Sequence, residues 1–397
     1  MFCFKNYMRK GKIEMKKILA LTLTLAMVLS LCGCLDTSQN KAEQVAANPN
    51  AAATTTTTTE TKVEYVNSFP DLEGKYTHVT AKHTLRFSLA SPAADNVEWR
   101  AAAAFRDYVE ASTNGEVQVQ LYPNKQLGSE GDSFALVAAG DLDLCTITDG
   151  TLAGFVPAMG SIAIPYLFPS GPIAWKVLDS EFGQKLKAEL YNVTSAHALG
   201  IGEDGFRSFA TTGKQVKVLE DLKGMKIRVM ETPVYLNMMN GLSALPTPMS
   251  GSEVYNALEQ GVVDGFENSP DVMYSMNFYE VLDYLTIDQH SLGSAWLTMS
   301  DKAWTALSDE HKAVVAAAGQ VWQYYLRAPK EIAAAASLSQ FTEKGVEVYV
   351  MPASERERLQ DACAGLVVDY MRDTIGDEWV DLLLKCTEEA KAEIMPK

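Results

Sequence analysis

Between residues 84 and 299 the chain alternates short strand-patterned runs with longer helical ones, and this alternation restricts the fold more than any other feature. Strand patterns fall at 84–89, 117–122, 142–147 and 196–202. Helical patterns fall at 97–110, 130–139 and 173–190, with Ser91-Pro92, Gly115 and Gly140 as breaks. Strands separated by a helix cannot close as tight hairpins, so they are predicted to pair in parallel within an α/β domain. Short strands at 226–229, 244–245 and 264–267, set among helices at 233–241, 252–260 and 270–278, predict a second α/β unit. After a strand at 295–299 the remainder is helical, over 308–341, 354–372 and 378–393. The first of these runs has few breakers; at roughly 1.5 Å per residue it would reach about 50 Å and span both domains as one strut.

The N-terminal part has a different character. Lys16 and Lys17 precede an apolar run over 18–31 that is too short to span a bilayer, and Leu31-Cys32-Gly33-Cys34 follows as a small-residue cleavage site. Residues 1–33 therefore read as a lipoprotein signal peptide, and the segment resembles a bacterial lipobox in which Cys34 is lipidated. Residues 34–82, with a threonine run at 54–59, show little apolar periodicity and are predicted to be a flexible tether between lipid and folded body. Beyond Cys34, three cysteines remain, Cys145, Cys363 and Cys386, with no CxxC and no Cys/His spacing for zinc. They are either buried free thiols or include a Cys363–Cys386 bridge.

Lys and Arg number 34 against 50 Asp and Glu; without residues 1–33 the counts are 28 and 49, a net of about −21. No clustered basic face is present, which excludes nucleic acid as a partner. A search for catalytic constellations finds no HExxH, P-loop, GxSxG elbow or dinucleotide fingerprint. His78, His83, His197, His290 and His311 have no metal-ligand spacing. Glu253, Glu259, Asp264 and Glu267 read as charges on solvated faces. The expectation is a non-enzyme with neither cofactor nor metal.

Two arginines, Arg207 and Arg228, follow predicted strand ends, where the clefts of α/β sheets form, and a guanidinium offers two parallel donors to a carboxylate. Around them stand Leu121-Tyr122-Pro123 with Gln126-Leu127-Gly128, Ile164-Pro165-Tyr166-Leu167-Phe168, and Asp221-Leu222-Lys223-Gly224-Met225-Lys226-Ile227-Arg228. Pro246-Thr247-Pro248-Met249, Gly265-Phe266-Glu267-Asn268, Phe278-Tyr279-Glu280 and His290 follow in order. In number, order and spacing these segments resemble the solute-binding proteins of the tripartite ATP-independent periplasmic (TRAP) transporters, from residue 84 to the C-terminus.

The resemblance implies an α/β, two-lobed periplasmic-binding-protein (Venus flytrap) fold with a long helix spanning both lobes. The expected division is 83–205 plus 291–325 for lobe I, and 206–290 plus 326–397 for lobe II. It implies that Arg228 forms the main salt bridge to a ligand carboxylate, with Arg207 as a second polar contact and Asn268 hydrogen-bonding the same group. Glu130 and His290 match positions that contact ligand or its waters in some members. Where many members carry an aromatic residue against the ligand this chain has Gly251, a gap that either admits a bulkier or more apolar organic acid or is filled by Phe168, Phe266 or Tyr235. Ala90 and Thr148 replace an asparagine and an acid of the sialic-acid binders. The implied partners are a small organic acid and the small and large TRAP membrane subunits, met outside the cytoplasm by a lipid-anchored receptor. A ligand-presenting sensory protein for a receptor kinase would need the same cleft.

Overall fold

The computed structural model describes residues 73–395, residue 95 excepted. The expected signal peptide over 1–33, Cys34 and residues 34–72 lie outside the described residues. Residues 73–82, the end of the expected tether, are held against the body. The Gln118 amide donates to the carbonyls of Tyr76 (3.0 Å) and Val79 (3.1 Å), and Lys82 pairs with Glu116 at 2.8 Å.

Nine strands among the described residues form one sheet: β1 (His83–Ser88), β2 (Val117–Tyr122), β3 (Leu144–Thr148), β4 (His197–Thr211), β5 (Lys226–Val229), β6 (Leu245–Pro248), β7 (Gly265–Asn268), β8 (Tyr284–Met299) and β9 (Glu347–Val350). Their order is β2-β1-β3-β8-β4-β7-β5-β6, with β9 beside β8. As the strand and helix alternation predicts, β1 pairs in parallel with β2 and β3, and β5 with β6 and β7.

The two central strands are much longer than their sequence patterns. β4 has 15 residues and β8 has 16, antiparallel to one another, and they run through both halves of the sheet. At one end β8 pairs with β3 over 295–299. At the other it pairs with β9 over 284–287, while β4 pairs with β7 over 208–211. Their middle parts escape a hydrophobicity pattern because Glu203, Arg207, Asp288 and His290 are buried there among glycines. Register shifts mark β4 at Ala198/Gly200, Glu203/Gly205 and Arg207/Phe209. Gly205 has φ +100, and a Cβ there would stand 2.6 Å from the Ser269 side chain. Only glycine permits both the left-handed backbone and that approach, so the chain bulges and twists at this point.

The predicted single helix over 308–341 is two helices, Asp309–Tyr325 and Ala328–Glu343, broken where Arg327 takes φ −111 and ψ −101. Pro329 has no N–H for the Tyr325 carbonyl and its ring clashes with that carbonyl, so the helix restarts with Pro329 in its first turn. The first helix packs on helix Val97–Ser112 and β4, the second on helix Pro270–Ser275 and β9. Just past the break, Lys330 is fully buried and ion-paired to Glu98 and, at 2.8 Å, to Asp271. The predicted helix over 173–190 is also two, Gly171–Asp179 and Glu181–Thr194. They are divided at Ser180, whose hydroxyl accepts from the Phe182 amide at 3.2 Å.

Packing around β1 and β2 centres on Phe87, Phe105 and Trp322, and packing around β7 on Phe266, Phe278 and Phe341. The largest core joins the rest. Helix Ala353–Ile375 lies on Pro233–Gly241, and Asp377–Ile394 on the pair Gly171–Asp179 and Glu181–Thr194. Cys145, Cys363 and Cys386 are free and buried, so no bridge joins the two C-terminal helices.

Helix Asp309–Tyr325 approaches β4 through Gly319, where a Cβ would stand 2.5 Å from the Leu199 carbonyl oxygen. Replacing a mid-helix glycine by alanine normally gains up to about 1 kcal/mol. Here the obstacle is backbone held in the sheet, and over-packing of that kind costs about 1–3 kcal/mol. Gly319→Ala is therefore expected to lower unfolding stability in urea, and an increase would show that the helix shifts freely over β4.

Candidate binding site

The sheet and its loops enclose a cavity of about 350 Å³. Arg228 enters it from β5, Arg207 from β4, Asn268 from the end of β7, and Glu130 from the first turn of helix Glu130–Ala139. Ala90, Thr148, Gly251 and Phe266 also line it. The carboxyl ends of β1, β2, β3, β5 and β7 face this space through their following loops, as ligand clefts of α/β sheets do.

The two arginines differ in how they are neutralised. Arg207, 2% exposed, is wrapped by Glu267, which receives Nε and, at 3.0 Å, Nη2. Nη2 also donates to the Glu267 carbonyl at 2.8 Å, and Nη1 donates to Asn268 Oδ1 at 3.0 Å. Burial would raise the Glu267 carboxyl, but Arg207 and His290 beside it hold it down at about 2. Glu267 is thus a buried counter-ion and not the solvated charge its sequence context suggests.

Arg228 has no such partner. It is 4% exposed, its Nε and Nη2 donate to the Met249 carbonyl at 3.0 and 2.7 Å, and among the described residues no carboxylate lies within 4.0 Å. Burial pulls this guanidinium down to about 10. A buried cation satisfied only by a peptide carbonyl is electrostatically incomplete, and an incoming carboxylate completes it.

Asn268 Oδ1 accepts from Arg207 and from the Ser269 amide (2.8 Å), so the amide is oriented with its NH2 as the remaining donor. Glu130 Oε2 accepts from the Thr148 amide (3.2 Å), the Thr148 hydroxyl (2.9 Å) and Thr151 (3.1 Å). Three of the sequence-predicted residues do not line the cavity. His290 is fully buried behind Arg207, between Asp288 (3.0 Å) and Glu267 (3.4 Å). Tyr235 is also fully buried, with its ring 5.4 Å from the Arg207 guanidinium carbon. Phe168 packs in the largest core, because Tyr166 at φ +57 turns the chain there and its amide bonds the His290 carbonyl at 2.7 Å. Of the three aromatic residues expected to fill the gap at Gly251, Phe266, on β7, lines the cavity, as do Phe155, Phe278 and Trp322.

His290 supports the arginine from below. Burial would lower its imidazole, but Asp288 and Glu267 raise it to about 9, so it is charged at neutral pH. With an unfolded value near 6.5, this group binds its proton more tightly in the folded state. Its stabilisation is complete below about pH 6.5 and is lost as pH rises through about 9. The unfolding free energy obtained from urea titrations is expected to fall between those limits, by up to about 3 kcal/mol, and the fall should be absent from His290→Gln. An identical pH profile in the variant would reject the assignment.

Sequence reasoning passed over Lys125, which lines the cavity beside Arg228. The signal was present, since Lys125 stands between the Leu121-Tyr122-Pro123 and Gln126-Leu127-Gly128 segments, in the loop after a parallel strand. Among the described residues no group of acids, histidines and cysteines is arranged to hold a metal.

Residues 89–373 match the bacterial extracellular solute-binding protein family 7, DctP. The sialic acid-binding periplasmic protein of Vibrio cholerae is 31% identical over 61% of this chain and 75% of its own length. The sugar acid binding protein of Advenella mimigardefordensis, solved with galactonate, superposes with a TM-score of 0.74 at 28% identity, over 77% of this chain and 98% of that one. A TRAP periplasmic solute binding protein from Roseobacter denitrificans with bound β-D-glucuronate gives 0.72 at 29% identity, over 76% and 99%. The relatives are transport proteins that work outside the cytoplasm, not enzymes, and their fold is two-lobed. This chain belongs to the extracellular solute-binding protein family 7 and is a TRAP solute-binding protein.

Proposed function

We propose that the chain is a lipid-anchored receptor, held at the membrane through Cys34, that closes on an organic acid and delivers it to the small and large TRAP membrane subunits. The observation that supports this reading best is Arg228, a buried guanidinium with no carboxylate of its own beside a cavity of ligand size. Arg228 takes the ligand carboxylate as a two-point donor, and Asn268 adds an amide N–H. Arg207, already neutralised by Glu267, orients Asn268 and supplies a weaker contact.

Lobe I comprises 83–205 plus 291–325 and lobe II 206–290 plus 326–397, with β4 and β8 crossing between them. Closure of the lobes brings Glu130 and Lys125 of the first against Arg228 and Asn268 of the second. A ligand favours the closed form only by its difference in affinity for the two states. Sugar acids, the class bound by the Advenella and Roseobacter proteins, are the first candidates. Thr148 and Ala90 argue against sialic acid itself.

The test is mass spectrometry of acid co-purified with the chain, followed by melting-temperature shifts with a panel of sugar acids and small organic acids. Binding of one with micromolar or better affinity is expected; the reading fails if no acid co-purifies and none shifts the transition. Cys34→Ser should release the protein from the membrane fraction, and retention would reject the lipid anchor.

A further inference from the structure

We propose that Asp204 is a further ligand-binding residue that works as an uncharged acid: it takes up a proton from solvent as the ligand enters and donates it as a hydrogen bond to a ligand oxygen. This rests on the reading above that the cavity takes an organic acid. Asp204 lines the cavity from β4, on the same strand as Arg207. Among the described residues its carboxyl group accepts one hydrogen bond, a long one of 3.5 Å from Arg207 Nη1 to Oδ2. The same Nη1 donates to Asn268 at 3.0 Å, and the other donors of that guanidinium are taken by Glu267.

The groups that surround Asp204 are mostly acids. Helix Val97–Ser112 brings Glu98, helix Glu130–Ala139 brings Glu130, and helix Pro270–Ser275 brings Asp271. The other cation that acts on Asp204 is Lys330, on helix Ala328–Glu343, and it is already ion-paired with Glu98 and Asp271. On β8 the residue opposite is Gly293, where a Cβ would stand 3.2 Å from Asp204 Oδ2, so that strand leaves room for the carboxyl group but offers it no side-chain donor. Lys125 and Arg228 also line the cavity, and neither comes within 4.0 Å of Asp204.

A carboxylate so placed is short of donors and faces charges of its own sign. Burial pushes it up to about 7, with Lys330 and Arg207 opposing. A ligand carboxylate on Arg228 adds a further negative charge, and closure removes the water that screens it; both favour the protonated form. Protonation also turns an acceptor into a donor, so the event that relieves the repulsion supplies a contact to an oxygen of the acid. The proton is then held more tightly in the complex than in the free protein, so binding is strongest below about pH 7 and weakens as pH rises above it. Asp149 and Glu203, raised by burial to about 6 and about 8, and His290, at about 9, also titrate near this range, but none of them lines the cavity.

Galactonate and β-D-glucuronate, the acids held by two of the similar proteins, are titrated by calorimetry into the full-length chain and into Asp204→Asn. If neither binds, the tightest binder of the acid panel above takes their place. Titrations in HEPES and in Tris at pH 7.5 count the protons taken up, because the two buffers release a proton with different heats. A second series runs from pH 6.5 to 8.5. The wild-type protein is expected to take up roughly 0.5–0.8 proton per ligand at pH 7.5, and its affinity to fall about tenfold across the series. Asparagine copies the neutral acid in shape and as a donor, so Asp204→Asn is expected to bind with an uptake near zero and an affinity that changes by less than about threefold. The wild-type proton count does not depend on whether the variant folds. Binding by the wild-type protein without proton uptake overturns the proposal and leaves the organic-acid reading in place. So does an uptake that persists in Asp204→Asn, the result if Lys125 were the group that titrates. If no acid of the panel binds, the proposal and the organic-acid reading fail together.

Discussion

Replacing Arg228 with alanine is expected to weaken ligand binding by about 2–5 kcal/mol, roughly 30-fold or more, while leaving the unliganded protein close to its original stability. The two halves of this expectation have different causes. Binding suffers because the substitution deletes the main donor pair and leaves a closed-in carboxylate without a partner. Unliganded stability is spared because the group removed is a buried cation with no carboxylate, held only by the Met249 carbonyl. Loss of those two hydrogen bonds costs about 1.5–3 kcal/mol, but removing an unneutralised charge from the interior offsets much of it, and water in the cavity reaches the freed carbonyl. Calorimetry with the identified ligand and urea unfolding without it measure the two parts. Unchanged affinity would remove Arg228 from the binding role, and a large loss of unliganded stability would mean that the charge is compensated in the free protein.

Arg207→Ala is expected to behave in the opposite way, costing about 3–5 kcal/mol of unliganded stability. Glu267 is completely buried, and arginine removal leaves it facing only His290, already shared with Asp288. The carboxyl then takes up a proton or the strand moves. Pairing the change with Glu267→Gln removes the stranded charge, so the double variant should be more stable than Arg207→Ala alone. The difference is the coupling between the two groups. If Arg207→Ala abolished binding without destabilising the free protein, Arg207 would be a ligand contact first and a structural ion second.

The arginines show where sequence is informative and where it stops. Periodicity found β1, β2, β3, β5 and β7, because short buried strands between helices leave a clear hydrophobic trace, and the motif segments drew Arg207, Arg228, Asn268 and Glu130 to one place. What it could not separate was a neutralised arginine from an unneutralised one. That distinction depends on Glu267 pairing with Arg207 across a bend in β4, and Glu267 is a single acidic letter in a short run. The long strands were missed for a related reason: charged residues that satisfy one another inside the sheet look solvated in one dimension. The helix over 308–341 was read through Pro329, whose neighbours are all good helix formers. Lys125 stands between two of the motif segments, but the left-handed backbone that carries it, φ +57, cannot be read from composition.

Lys330 gives the break in that helix a mechanical meaning. Its ammonium lies between Glu98, on a helix packed over β1 and β2, and Asp271, on a helix beside β7. A cation shared between acids from the two sides of the molecule resists separation but hardly resists rotation, because an ammonium has no preferred plane. If the lobes close as proposed, it works as a ball joint, fixing the distance between the halves at one point and leaving their angle to the ligand.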